Sequence, residues 1–315
     1  MSERLDVVGF GEAMALFQPS AGETLESAAT IEVHVAGAEL NLCAAVARLG
    51  LRAGFCSRVG ADPLGARVLA EAVRLGVATD LVDIDPGHPT GLFLKDAKPD
   101  GRRRVHYYRA GSAASVMDEA DAARLLTAGP RMVAVSGITA ALGPGPLAAV
   151  TALVRGARRA GVAIALDPNL RPALGPVREQ VARLRPLLSY ADFLLLGLDE
   201  AGPLLGVAEP AEVFAAASAA GAGETVLKAG EDGSFIPVDG GVTHVPSAAR
   251  TVVDPVGAGD AFAGGYLAAR LGGATPGRAA WLGSRLAAGV IGRPGDTIGL
   301  PTAADARSLL RDSLS

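Results

Sequence analysis

Short apolar runs alternate with segments of helical periodicity along the first part of the chain. Residues 5–11 form an apolar run that ends in glycines, and residues 54–60 form a second run of the same kind. Residues 38–49 and 62–75 carry apolar side chains at helical spacing, and a glycine follows each segment. Strand and helix in alternation predict the beginning of a parallel sheet with helices packed on it.

Two stretches interrupt this rhythm with alternating apolar and polar positions. Residues 31–35 alternate in this way, and residues 90–108 contain two alternating segments around the turn sequence PDG at 99–101. Such alternation predicts strands with one solvated face, and the turn sequence predicts a hairpin. We therefore expect a small β-sheet lid built from about residues 12–36 and 89–112.

The alternation of strands and helices returns after residue 131. Apolar runs of strand length recur between helical segments rich in Ala, Leu and Arg, which is typical of parallel strands covered on both faces. We predict a single α/β unit over residues 1–315, with a doubly wound, mostly parallel sheet, helices on both faces and the lid as an excursion. The additional strands are expected at residues 132–136, 162–167, 193–196 and 225–228.

Composition and charge narrow the classes of function. The chain of 315 residues has a net charge of −4 and 4% aromatic residues, which argues against a basic or stacking surface for nucleic acid. Its two cysteines are too few for a disulfide framework, and the sequence predicts neither a signal peptide nor a membrane anchor. We expect a soluble, cytoplasmic protein with no nucleic-acid partner and no membrane partner.

The strongest chemical signal is a stretch that reads DPVGAGDAFAGG. The small residues Gly257, Ala258 and Gly259 allow a backbone turn to approach a ligand closely, and a helix is predicted over 260–271. The N–H groups of the turn and of the helix N-terminus would converge on a point that stabilises a phosphoryl group. Beside it, Asp260 could accept a proton from an attacking hydroxyl. On composition alone, a plain helix cap at Asp260 after a sharp turn fits equally well.

The segment GAGDAFAGG, preceded by a strand predicted at 253–256, resembles the C-terminal signature of the ribokinase-like (PfkB) carbohydrate kinases. Residues 36–41 with 47–50 resemble that family's N-terminal glycine motif, and residues 58–65 resemble the segment that follows it. The matching segments occur in the family's order and span nearly the whole chain. The resemblance implies a ribokinase-like fold and ATP- and Mg²⁺-dependent phosphorylation of a sugar-like hydroxyl.

The same resemblance implies roles for individual residues. Asp260 would be the catalytic base, and the backbone of Gly257, Ala258 and Gly259 would form the anion hole. The sequence KAGEDGS from residue 228 resembles the family's nucleotide-binding segment, although it is also good hairpin-turn chemistry. Ser284 stands where many relatives have an asparagine near the adenine. The implied nucleotide contacts are Lys228, Gly230, Gly233, Ser234 and Ser284.

Glu200 matches the glutamate of the family's Asn-x-x-Glu motif, which is associated with magnesium and phosphate, although Gly197 replaces the asparagine. The resemblance implies that Glu200 holds Mg²⁺ through water. The alternative is an N-cap and first-turn acid on the next helix, a role that Asp199 fits well. Asp254 could contribute to a monovalent-cation site, or it could be an ordinary residue at the end of a strand or in a turn.

Two arginine motifs bear on the substrate. Tyr-Tyr-Arg ending at Arg109 and Asp-x-Asn-x-Arg ending at Arg171 resemble motifs of the 2-keto-3-deoxygluconate kinases in this family. Two arginines could grip the carboxylate of a sugar acid, which a neutral sugar would need less. Phe93 departs from the tyrosine common in those kinases, and Gly175 departs from a tryptophan. The implied substrate contacts are Gly37, Asn41, Phe93, Tyr107, Arg109, Ile138, Arg171 and Asp296.

The sequence thus predicts a kinase that converts 2-keto-3-deoxygluconate, or a close sugar acid, to its 6-phosphate. A fructokinase- or ribokinase-like enzyme for a neutral ketose or pentose is the alternative, and a non-catalytic sugar- or nucleotide-binding protein of the same fold is a third. Exposed strand edges on the lid favour the pairing of two lids in a homodimer.

Overall fold

The computed structural model describes residues 4–20, 23–97, 103–293 and 295–314. Within these ranges a nine-stranded sheet forms the body of the molecule, in the order β13-β12-β11-β10-β9-β8-β1-β4-β5 with strands numbered along the chain. All neighbouring strands are parallel except at β12 and β13, so the predicted mostly parallel sheet is confirmed. The strands are β1 (Val7–Phe10), β4 (Ala53–Gly60), β5 (Ala78–Asp85), β8 (Met132–Ser136), β9 (Ala163–Asp167), β10 (Phe193–Gly197), β11 (Glu224–Lys228), β12 (Ser234–Val238) and β13 (Gly241–Val245).

Helices cover both faces of this sheet. Successive side chains of a parallel strand point to opposite faces, and accordingly Val7 and Met132 lie in one hydrophobic layer while Val8 and Val133 lie in the other. The first layer contains residues of α1, α2, α9, α10 and α11, and the second contains residues of α3, α5, α6, α7 and α8. The helices are α1 (Ala38–Arg48), α2 (Pro63–Arg74), α3 (Glu119–Thr127), α4 (Gly137–Ala141), α5 (Pro144–Ala160), α6 (Val177–Leu184), α7 (Leu198–Leu205), α8 (Pro210–Ala219), α9 (Ala258–Leu271), α10 (Pro276–Ile291) and α11 (Ala303–Leu314).

A second sheet of four strands forms the expected lid. Its order is β3-β2-β6-β7, and β6 and β7 pair antiparallel as the predicted hairpin requires. The turn expected at 99–101 lies outside the described residues. Met14, Leu16, Ala36 and Phe93 are buried together as the small core of the lid. The strands are β2 (Met14–Pro19), β3 (Ile31–Ala36), β6 (Leu92–Ala97) and β7 (Arg103–Tyr108).

The structure corrects one predicted strand and adds others. Residues 253–256 are not a strand. Pro255 has no N–H to donate to a neighbouring strand, and the carboxylate of Asp254 instead accepts the N–H of Val256 at 3.1 Å. Edge strand β5 and the antiparallel pair β12 and β13 were not predicted, because their half-exposed, mixed polar positions lack the signal of a buried strand.

Several strands of the main sheet end on the same side, beneath the lid. Asp167 ends β9, Lys228 ends β11, and Glu200 lies in the first turn of α7 just after β10. The crevice beyond the carboxyl ends of parallel strands is the usual place for a ligand in a sheet of this kind. Among the described residues, no helix has both the length and the apolar character needed to span a membrane.

Candidate active site

The N-terminus of α9 creates a positively polarised end that faces the crevice. The helix begins at Ala258, two residues before the predicted start, and Gly257 is its N-cap. Gly257 has a φ of 80°, and a Cβ there would stand 2.6 Å from the backbone oxygen of Asp296, so only glycine fits. The first N–H groups of a helix have no partner within it and favour an anion. The capping alternative for Asp260 is wrong, because its side chain lies inside the first turn.

The carboxyl group of Asp260 is held by Asn41, which the sequence also placed in the site. Nδ2 of Asn41 donates to Oδ2 of Asp260 at 2.9 Å. Burial, reinforced by the charges of Asp167 and Asp296, raises the pKa of Asp260 to about 7, although the hydrogen bond from Asn41 and the charge of Lys228 act against it. A carboxylate that titrates near neutral pH is suited to accept a proton from a substrate hydroxyl.

Asn41, Asp260 and Asp296 together form what we term the acidic floor. The amide of Asn41 also reaches Oδ2 of Asp296 at 3.4 Å. Burial raises the pKa of Asp296 as well, with the charge of Lys95 opposing the shift. Oδ1 of Asn41 and Oδ1 of Asp296 are buried and have no hydrogen-bond partner in the described chain. Such atoms are costly unless a ligand or water satisfies them, so the acidic floor is built for a polar ligand.

Lys228 brings a cation to the same place. Its ammonium group pairs with Oδ2 of Asp167 and lies 3.9 Å from where a Cβ on Gly259 would stand. Burial alone would lower the pKa of Lys228, but the carboxylates of Asp167 and Glu200 raise it above its ordinary value. The side chain is therefore charged beside the anion-favouring end of α9.

Glu200 fits a magnesium ion only through water. Its Oε1 accepts the N–H of Leu170 at 2.6 Å and its Oε2 accepts the N–H of Gly197 at 2.8 Å, so both oxygens already bind the backbone. Gly197 is the N-cap of α7, so the alternative is wrong about the cap, but Asp199 and Glu200 both lie in the first turn, as the alternative expected of a first-turn acid. Oδ1 of Asp167, close by, is buried without a partner in the described chain. Among all the residues that the structure describes, no three His, Cys, Asp or Glu side chains cluster as direct metal ligands.

Arg109 is already paired, with a residue that the sequence analysis missed. Its Nε lies 2.7 Å from Oε2 of Glu12, and Ser112 donates to the other oxygen at 2.5 Å. Arg109 is only 8% exposed, and its guanidinium lies 5.4 Å from the ring centre of Tyr107. Glu12 follows the glycines at the end of β1 and carries no motif, so its position in the chain was the only available signal.

Arg171 has the opposite character, because its side chain is exposed. Among the residues that the structure describes, its guanidinium makes one long hydrogen bond, from Nη1 to the carbonyl of Leu170 at 3.4 Å. The backbone beneath it is fixed, since Gln180 bonds both the N–H and the carbonyl of Arg171 at 3.0 and 2.7 Å. Asn169, two residues earlier, has a φ of 42°, which is uncommon outside glycine and frequent at functional sites. The structure thus presents an accessible guanidinium on a fixed stretch of backbone.

The remaining candidate substrate residues lie on the lid and at its base. Phe93 packs in the core of the lid, with its ring centre 5.7 Å from that of Tyr107. Gly37, the N-cap of α1, lies so close to the carbonyl of Glu12 that a side chain there would collide with it. Ile138 is half-buried in the first turn of α4.

The candidate nucleotide-binding segment, residues 228–234, is a turn between two strands. Gly230 begins a short 3₁₀ turn and Gly233 follows it, between β11 and antiparallel β12, so the alternative hairpin interpretation describes its backbone correctly. The hydroxyl of Ser234 is buried without a partner in the described chain. Ser284 accepts the N–H of Ala248 at 2.9 Å and donates to the carbonyl of Pro246 at 3.2 Å. Its hydroxyl therefore anchors the chain that leads towards α9.

Glu39 is a further residue that the sequence did not single out. Ser136 and Thr139 donate to its Oε1 at 2.5 and 2.7 Å, and burial raises the pKa of Glu39 despite these bonds. With Asp167 and Asp260, it lines a small cavity at the end of the central strands. A glutamate inside a helix of small residues gives no sign of such burial in the sequence.

Comparison with known proteins gives a consistent result. The model of the pfkB family carbohydrate kinases matches residues 4–303. The 2-dehydro-3-deoxygluconokinase of Thermoproteus tenax is 34% identical over 98% of this chain and 94% of its own length. The enzyme of that name from Bacillus subtilis (strain 168) is 34% identical over 95% and 93%. The solved structure of a PfkB protein from Polaromonas sp. JS666 superposes with a TM-score of 0.83 at 34% identity, covering 96% of this chain and 98% of its own. The chain therefore belongs to the PfkB family of carbohydrate kinases.

Proposed function

We propose that this kinase transfers the γ-phosphoryl group of ATP to the terminal hydroxyl of 2-keto-3-deoxygluconate, giving the 6-phosphate. The substrate is the 2-dehydro-3-deoxygluconate in the names of two relatives. The observation that carries the proposal is the position of Asp260, a carboxyl group with a pKa raised to about 7 in the first turn of α9. An acid that titrates near neutrality beside an anion-binding helix end is what transfer to a hydroxyl requires.

The proposed transfer has one proton and one phosphoryl group to move. Asp260 accepts the proton of the substrate hydroxyl, the hydroxyl oxygen bonds to the γ-phosphorus, and the bond from that phosphorus to the bridging oxygen of ADP breaks. The backbone of Gly257, Ala258 and Gly259 and the ammonium of Lys228 stabilise the charge that develops on the transferred group. Closure of the lid would exclude water and so limit hydrolysis of ATP.

Mg²⁺ fits the cluster at the ends of β9 and β10. Asp167 and Glu200 would hold it through its water shell, because Glu200 already binds two backbone N–H groups and Asp167 keeps one buried oxygen without a partner in the described chain. When bound, the ion neutralises charge on the phosphates of ATP. Lys228, Gly230, Gly233, Ser234 and Ser284 remain the proposed residues of the nucleotide side.

The two arginines would contribute unequally to recognition of the sugar acid. Arg171 is exposed and is proposed to bind the substrate carboxylate directly. Arg109 already pairs with Glu12, but a guanidinium has five N–H donors and can also donate hydrogen bonds to a second carboxylate. Gly37, Asn41, Phe93, Tyr107, Ile138 and Asp296 complete the proposed acceptor site.

The test is ADP release measured on a panel of acceptors: 2-keto-3-deoxygluconate, its galactonate epimer, gluconate, fructose and ribose. The proposal expects the highest kcat/KM with a keto-deoxy acid, since the neutral sugars leave Arg171 without a partner. Preference for fructose or ribose would instead identify a neutral-sugar kinase with the same acidic floor. Binding of ATP and sugar without ADP release would indicate a protein that has kept the fold without turnover.

We also propose that the enzyme is cytoplasmic and that it forms a homodimer through its lids. The outer strands β3 and β7 leave edges for pairing, and Ile31 and Tyr108 on them are 38% and 60% exposed. Light scattering at the assay concentration should give twice the monomer mass; the monomer mass would end this part of the proposal.

A further inference from the structure

A buried ion pair joins the lid to the segment that leads into α9. The ammonium of Lys95 on β6 pairs with Oδ2 of Asp254, and their side chains are 5% and 2% exposed. The two residues are 159 positions apart in the chain. Lys95 has not been assigned a role in the site described above, and Asp254 lies three residues before the cap of α9.

Asp254 shapes the backbone that ends in the anion-binding turn. Its Oδ1 accepts the N–H of Val256 at 3.1 Å, and its own N–H donates to the carbonyl of Ile291 at 3.1 Å. Three residues after Asp254, Gly257 packs against the backbone of Asp296. A shift of the Asp254 carboxylate would therefore move the turn from which α9 begins.

A carboxylate in this position needs a countercharge. A buried charge without a partner is strongly unfavourable, and its removal from water must be offset by a nearby opposite charge. Lys95 supplies that charge from the chain itself. It also acts on the acidic floor, since its charge opposes the upward shift of the pKa of Asp296. The positive charge of Lys95 thus acts on two buried acids, Asp254 and Asp296.

We infer that Lys95 is a positioning residue that takes the place of a monovalent cation at Asp254, so that the turn at 254–257 is ordered without an added ion. The sequence had left Asp254 open as part of a cation site, and the structure places the lid lysine there instead. The inference uses the proposed kinase reaction only as one of two readouts.

The first readout is ADP release in choline chloride, with KCl or NH₄Cl exchanged in at constant ionic strength. Wild-type turnover should change by less than about twofold, because screening is held constant and the site already has its cation. K95M should lose roughly 100-fold in kcat through misplacement of the turn, and K⁺ or NH₄⁺ should restore part of it. K95R should stay close to wild type. R104M, which removes an exposed charge from β7, is the matched control.

The second readout is the unfolding temperature of the same proteins without ATP or sugar. KCl in place of choline chloride should raise the unfolding temperature of K95M and leave that of the wild type unchanged. This measurement decides the inference even if none of the tested sugars is phosphorylated.

Three outcomes would overturn the inference. One is several-fold activation or thermal stabilisation of the wild type by K⁺ over choline, which needs no variant and so stands even if K95M does not fold. Another is K95M with wild-type kcat. The last is a K95M defect that neither K⁺ nor NH₄⁺ relieves and that K95R shares, which would make the lysine purely structural.

Discussion

Buried charge is compensated differently in the acidic floor and in the pair of Arg109 with Glu12, which we term the lid pair. In the acidic floor, Asp260 and Asp296 share one amide from Asn41, and buried oxygens are left without partners in the described chain. In the lid pair, Arg109 donates to one carboxylate oxygen of Glu12, and Ser112 donates to the other. The floor leaves buried carboxylate and amide oxygens without partners, whereas the charges of Arg109 and Glu12 offset each other, although the buried Nη2 of Arg109 still lacks a well-formed hydrogen bond in the described chain.

This difference indicates that the acidic floor is suited to a role in the reaction, whereas the lid pair is suited to a role in stability. A group whose charge the protein leaves poorly compensated has a shifted pKa and can exchange a proton, as the pKa of about 7 for Asp260 indicates. A group whose charge the protein fully compensates mainly holds the fold together. Substitutions in the two regions should therefore affect different measurements.

The largest effect is expected from D260N. Loss of a general base costs about 10³-fold in kcat, while sugar binding should stay nearly intact because the amide keeps the shape of the carboxyl. The variant should unfold no earlier than the wild type at pH 8, since the ionised form of Asp260 is disfavoured by its burial. In the wild type, kcat should fall tenfold per pH unit well below pH 7, as Asp260 becomes protonated. Turnover of D260N near the wild-type level, or a flat pH profile, would remove Asp260 from the mechanism.

E12Q should break the lid pair and leave Arg109 as a buried, uncompensated charge. The expected cost is about 3–5 kcal/mol in the free energy of unfolding, measured by denaturant titration. The control is E71Q, which makes the same change in the surface pair between half-buried Glu71 and exposed Arg74 and should cost about 0.5 kcal/mol or less. Equal losses in the two variants would show that the lid pair is not the completed, stabilising contact that its geometry indicates.

The sequence predicted the acidic floor far better than the lid pair, for a physical reason. Asn41, Asp260 and Asp296 lie in or near glycine-rich motifs, where local sequence sets the backbone. The partners of Arg109 and Lys95 are 97 and 159 positions away along the chain, and residue periodicity contains no information at that range. The motifs therefore named Asn41, Asp260 and Asp296, which lie together, but they did not indicate that Arg109 would already be paired.

The fold shows the same limit. Strands buried on both faces, such as β8, were predicted within a residue because their side chains are uniformly apolar. Edge strand β5 was missed, because solvent on one side permits polar residues such as Asp80 and Asp83. The error at 253–256 arose because apolar residues there suggested a strand, although Pro255 and the side chain of Asp254 favour a turn.

The smallest effect is expected from R171M. Arg171 is exposed and its guanidinium makes a single long hydrogen bond within the described part of the chain, so its loss should leave the unfolding temperature unchanged. If it binds the substrate carboxylate, KM for the sugar acid should rise about 10- to 100-fold, as expected for a charge-assisted hydrogen bond, with little change for fructose. R171K should recover only part of this, because lysine lacks the planar fork. R178M, an exposed arginine on the following helix, should behave as the wild type. An equal loss with acidic and neutral sugars would return Arg171 to a structural role and favour the neutral-sugar alternative.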